Sequence, residues 1–156
     1  MEKKLAPYPV IVTQDVTWGD MDANAHVNNV VYLRYMENAR VEYYERIGKY
    51  EFEERTGINL VIKSVGCRFY SALTYPDKIS IGARVKKIAP DHIIMEYIVL
   101  KARSDLVAAK GEATIVALKM EGNVKVSVPE ELKRRILDLQ PELSEPEPES
   151  AHPSAI

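Results

Sequence analysis

Asp20, Asp22, His26, Asn28 and Asn29 crowd into a short stretch directly ahead of the longest helical pattern in the chain. A carboxylate can attack a carbonyl carbon or take a proton from water. A helix start carries unpaired N–H groups and a partial positive charge, which suit an oxygen on which negative charge develops. The same residue types also satisfy loop backbone without any chemistry, since Asp and Asn side chains bond nearby amides. The segment Trp18–Tyr44 is too short to have a core of its own, so whichever role applies, a scaffold must hold it.

The whole chain limits what that scaffold is. At 156 residues, 46% hydrophobic and 28% charged, it suits one soluble domain with a real core. No apolar run approaches the ~20 residues of a membrane span. The start, MEKKLAPYPV, has no apolar stretch or cleavage pattern of a secretion signal, so a cytoplasmic protein without a membrane partner is expected. A net charge of -2 with scattered Lys and Arg offers nucleic acid no footprint. One cysteine and three isolated histidines build neither a disulfide nor a zinc site, and no metal or cofactor is expected. Cys67, in the alternation Val65-Cys67-Phe69, reads as a small buried hydrophobe rather than a nucleophile.

Along the chain, Tyr8 to Trp18 alternates as a half-buried strand, with Val10, Val12, Val16 and Trp18 on one side. Gly19 breaks it, and Asn28 is the candidate N-cap of a helix from Asn29 to about Gly48. Tyr32, Met36, Ala39, Tyr43 and Ile47 form its apolar face, extended by Leu33; Arg34, Asn38, Glu42 and Glu45 lie opposite, toward solvent. A shorter helix, Tyr50 to Arg55, ends at Gly57. Four further strands follow, at Ile58–Leu73, Lys78–Ile88, His92–Ala102 and Leu106–Met120, and the short turns between the last three imply an antiparallel meander. Ser127-Val128-Pro129-Glu130 opens a helix to about Leu139, with a capping-box pattern and Pro at its first position. Residues 1–139 form the single expected domain. Residues 140–156, rich in Pro, Glu and Ser, read as a disordered tail.

This order contains no βαβ repeat, so the simplest arrangement is α+β, a long antiparallel sheet of about five to six strands curled around one central helix. The runs Ile93–Leu100 and Val107–Leu118 look apolar on both faces, and pairing between sheet edges of two copies is the expected remedy.

The residues Trp18-x-Asp20-x-Asp22, His26-Val27-Asn28-Asn29-x-x-Tyr32-x-x-Tyr35-x-Glu37-x-Ala39-Arg40, Ser64-x-x-Cys67-Arg68-Phe69, Tyr75-Pro76-Asp77 and Gly111-x-Ala113-x-Ile115 resemble the hotdog-fold acyl-coenzyme A thioesterases of the 4-hydroxybenzoyl-CoA thioesterase type. The resemblance spans about Val10 to Leu139. It implies hydrolysis of an acyl-CoA thioester without a cofactor, and a homodimer or homotetramer with active sites at the dimer interface. Asp22 matches the family's catalytic carboxylate, as nucleophile or as base. The amides of Asn29 and Val30 match the group that binds the thioester carbonyl. His26 either orients the aspartate or the carbonyl, or is simply packed in the loop. Asn28 is an N-cap, Asp20 a structural residue, and Ser64 either an ordinary strand serine or a contact to the partner's thioester. Tyr32, Tyr35 and Tyr43 line an acyl pocket or are plain core. Lys86 and Lys87 meet coenzyme A phosphates or end a strand in solvent, which leaves the carrier open between coenzyme A and acyl carrier protein. A non-hydrolytic acyl-thioester binder is the alternative of another class.

Overall fold

The computed structural model describes residues 2–144. Most of the expected tail, residues 145–156, lies outside the described residues. The chain runs through α1 (Glu2–Leu5), β1 (Val10–Asp15), a 3-10 turn at Trp18–Asp20, α2 (Asn29–Arg46), α3 (Lys49–Thr56), β2 (Ile58–Phe69), β3 (Lys78–Ile88), β4 (Ile93–Lys101), β5 (Val107–Lys119), β6 (Val124–Val126), α4 (Glu130–Leu139) and a second 3-10 turn, Pro141–Ser144. Strand order is β1-β3-β4-β5-β2, with β6 pairing β5 and every pair antiparallel. The expected meander is β3-β4-β5; the short sixth strand follows the Gly122-Asn123 turn.

The expected face of α2 is the core. Tyr32, Met36, Ala39, Tyr43 and Ile47 are all buried against inward residues of the sheet such as Ile81, Met95, Ala113 and Ile115. Gly111 permits the closest approach, because a Cβ there would collide with the Met36 thioether. Gly48 ends the helix in the left-handed conformation, at φ 67°, which a residue without a Cβ adopts without strain.

Four expectations are corrected. Trp18 is not on the strand's buried side but 71% exposed in the 3-10 turn, because β1 stops at Asp15. Leu33 does not widen the core face; it stands exposed on α2 beside β2. Ser127 does not cap α4, whose N-cap is Pro129, with no side-chain cap bond. The tail does not begin at Gln140. That side chain is 1% exposed and accepts from Val85 N at 2.8 Å, donates to Val85 O at 3.1 Å and accepts from Tyr43 Oη at 2.6 Å, acting as a strand partner where β3 bulges.

The apolar outer face has an intrachain cover at one end. Leu5 and Tyr8 pack on Ile98, Leu100 and Val107. Among the described residues strand β2 has no such cover. Its register sets Ile62 opposite Ile115 and Val65 opposite Ala113, with a bulge at Lys63, so residues three apart both face the helix side. Cys67 and Phe69 continue that inner row opposite Gly111 and Ala109. The alternation is as read, but α2 covers the row only in part: Tyr32 meets the Phe69 ring and Cys67 is half-buried, while Val65 and much of Phe69 stay exposed. Burial pushes the Cys67 thiol up, away from nucleophile chemistry.

Candidate active site

The polar cluster is a small folded loop. An antiparallel bridge joins Met21 and Val27, Asp22 N donates to His26 O at 2.9 Å and Ala25 N to Asp22 O at 3.0 Å. Ala25 takes a left-handed φ of 59° to close the turn. The loop is fixed to the domain by buried Val27, whose amide donates to Leu73 O at 2.8 Å, and by Asn28 N donating to Asp20 O at 2.9 Å. Asp20 also accepts from Tyr35 Oη at 3.3 Å. Burial first, then the Asp20 charge, raise that phenol, so it remains a donor. Asp20 is therefore a structural link between loop and helix.

Asp22 is exposed at the loop's tip. Its Oδ1 accepts from Asn24 N at 2.9 Å, which fixes the carboxylate's direction and leaves Oδ2 without a partner among the described residues. His26 is exposed beside it, and its ring makes no hydrogen bond among the described residues. Asn28 is the N-cap: its Oδ1 accepts from Val30 N at 3.1 Å, and its carbonyl from Val31 N at 2.9 Å. The Val30 amide is thus occupied by the cap. The Asn29 amide has no acceptor among the described residues and stands exposed at the helix start.

From that start a groove of about 560 Å³ runs between α2 and β2, lined by Asp20, Val30, Leu33, Glu37, Arg40, Ile62 and Val65 among others. It combines a helix terminus, an apolar wall and a buried cation. Among the described residues, no three His, Cys, Asp or Glu side chains gather where they could hold a metal ion.

The other expected residues lie elsewhere in the protomer. Tyr32 is core: it is buried, its hydroxyl accepts from Leu73 N at 3.3 Å, and its ring meets Phe69 edge-on at 5.0 Å. Ser64 pairs with Thr114 on the outer face, turned away from α2 because the bulge resets the alternation. Lys87 is at the far end of β3, roughly 30 Å along the strand from Lys78 at ~3.3 Å per residue, beside a separate cavity of about 650 Å³ under Leu143. Arg40 and Glu37, to which the sequence motif gave no role, both line the groove. Their signal in the sequence is a charged stripe at helical spacing with Val30 and Leu33.

One long helix held against a six-stranded antiparallel sheet is the architecture, and sequence comparison gives its family. The profile of the Thioesterase-like superfamily matches residues 16–136, and the chain belongs to that superfamily, with its hotdog fold. A thioesterase of Thermus thermophilus, solved in complex with coenzyme A and Zn, is 31% identical, covering 90% of this chain and 98% of its own, at a TM-score of 0.75. A hypothetical protein of Aquifex aeolicus is 25% identical over 81% of this chain and 98% of its own, at 0.72. A DHNA-CoA thioesterase of Staphylococcus aureus, at 16% identity, 85% and 93% coverage and 0.74, shares the fold. Among the described residues no helix is long and apolar enough to cross a membrane.

Proposed function

We propose that the protein hydrolyses an acyl-CoA thioester to the free acid and coenzyme A, as a cytoplasmic enzyme of the 4-hydroxybenzoyl-CoA thioesterase type. What supports the reading is an exposed Asp22 carboxylate, oriented by the Asn24 amide in the loop that leads into α2, together with an Asn29 amide that has no acceptor among the described residues, one residue ahead of the Val30 end of the α2–β2 groove. The thioester carbonyl oxygen accepts from Asn29 N–H, assisted by the positive end of the α2 dipole. Asp22 then either attacks the carbonyl carbon, expelling the coenzyme A thiolate and leaving a mixed anhydride that water cleaves, or takes a proton from the water that attacks. In both, the C–S bond breaks, a C–O bond forms and the thiolate ends protonated. His26, exposed beside Asp22, orients the carboxylate or the carbonyl. Val30 N–H is a second donor only when the Asn28 side chain releases it. The substrate's coenzyme A is the soluble partner of the reaction.

The groove lies between α2 and β2 and is open to solvent above them, and the free edge strand β2 carries exposed Ile62, Val65 and Phe69, with exposed Tyr70 just beyond it. A second copy pairing β2 with β2 closes both, which supports a homodimer, or a tetramer of such dimers, as the working form.

Thiol release from a panel of acyl-CoA thioesters tests the reading; saturable binding without thiol release overturns it in favour of a binding protein. Single turnover in oxygen-18 water then separates the two routes, since label in the Asp22 carboxylate requires the anhydride.

A further inference from the structure

The groove changes character along its length. Near the helix start it is bordered by Val30, with Ile62 and Val65 across it; its other end is walled by Arg40, about 15 Å further along the axis at ~1.5 Å per residue. Arg40 is 9% exposed. Its Nη1 donates to Tyr97 Oη at 3.1 Å. The neighbouring Glu37 carboxylate forms an ion pair with Nη2 at 3.9 Å, too long for a hydrogen bond, and pairs more closely with Arg34 at 3.1 Å. A guanidinium has five N–H donors, so this buried cation has donors to spare. Tyr44 lies one helical turn beyond Arg40 on the same face, and helical side chains lean back toward the N-terminus. Its buried hydroxyl has no hydrogen-bond partner among the described residues. Buried polar groups are nearly always paired; of the two, Arg40 lines the groove's end, and Tyr44 stands behind it, one turn on, without lining the groove.

We propose that Arg40, backed by the Tyr44 hydroxyl, is a specificity-determining residue that selects an acyl group whose distal end carries a hydrogen-bond acceptor, a hydroxyl or carboxylate oxygen, over a plain alkyl end. The inference rests on the α2–β2 groove being the acyl channel of the function proposed above. An alkyl terminus leaves the donors unpaired and excludes the water that would otherwise serve them, whereas an oxygen acceptor satisfies them in place.

The test uses the full chain and aliphatic acyl-CoA thioesters of matched length ending in methyl, hydroxyl or carboxylate. Wild-type kcat/KM is expected to favour an oxygen-ended substrate over its methyl-ended counterpart by roughly 10- to 100-fold, the factor that a hydrogen bond to a charged group carries. A larger gain for carboxylate than for hydroxyl assigns the selection to charge; equal gains assign it to hydrogen bonding. Arg40→Met brings the ratio toward one, and Arg40→Lys keeps part of it. Tyr44→Phe, which removes one oxygen without removing packing, lowers it several-fold and serves if Arg40→Met does not fold. Calorimetric Kd values for the same thioesters read the preference without turnover, so oxygen-selective binding with no hydrolysis upholds this inference while sinking the thioesterase reading. Equal kcat/KM and equal Kd for the three ends, binding of none of them, or an unchanged ratio in both Arg40→Met and Tyr44→Phe overturns it.

Discussion

Gln140→Ala is expected to destabilise the protein far more than a residue at the edge of a Pro- and Glu-rich tract ordinarily would. The substitution leaves three buried groups without their partner: Val85 N–H, Val85 C=O and the Tyr43 hydroxyl. A buried donor or acceptor left unpaired costs roughly 1–3 kcal/mol, and with some relief from entering water the sum is roughly 3–6 kcal/mol. Set against a total stability of about 5–15 kcal/mol, that is a large fraction. At about 2–4 °C per kcal/mol for a chain of this size, the melting temperature falls by roughly 6 to 24 °C. Circular dichroism melts of wild type and Gln140→Ala measure it, and ending the chain after Leu139 should lower the midpoint at least as much. A drop under about 3 °C in Gln140→Ala would refute the view that this amide stands in for a missing strand partner.

Three further outcomes follow from the same geometry. Asn28→Ala removes the cap on Val30 N–H and costs about 1 kcal/mol in urea denaturation, whereas Asn28→Asp retains the cap and most of the stability; equal stability in all three proteins would show that the cap bond contributes nothing. Val65→Lys places a charge on the exposed inner row of β2 and should convert an oligomer to monomer in sedimentation velocity; an unchanged sedimentation coefficient assigns the interface elsewhere. Hydrogen bonds from His92 first, then Lys125, pull the Asp91 carboxyl down to about 2. Because the folded value lies below the unfolded one, the stabilisation is present above the ordinary carboxylate range and is lost as pH falls through about 2. Asp91→Asn should therefore flatten that part of the acid limb, and since the group is exposed, salt should weaken the effect.

The fold was legible because its local signals agree. Tyr32, Met36, Ala39 and Tyr43 repeat at helical spacing, strands β3 to β5 alternate between short turns, and one helix among five long or moderate strands leaves few layered arrangements. The Asp22 loop and the Asn28 cap were legible for the same reason, since both are contacts between near neighbours in sequence. What was not legible depends on distant pairing. Ser64 faces outward only because a bulge at Lys63 resets the register against β5, and no residue near Ser64 announces it. Gln140 looks like the first residue of a polar tract until Val85, far away in sequence, is placed beside it. Arg40 reads as an ordinary helix cation until Tyr97 on β4 and the open inner row of β2 define the cavity that it closes.

The central claim is that thioester hydrolysis runs through Asp22 at the start of α2. Thiol release by Asp22→Asn, measured beside wild type on the acyl-CoA that wild type turns over fastest, tests it most directly, with a melting curve to show that the variant is folded. The expected result is a folded variant whose kcat falls on the order of 100- to 10,000-fold, the range for loss of a positioned acid–base or nucleophilic group. A folded Asp22→Asn protein that releases thiol at the wild-type rate would contradict it.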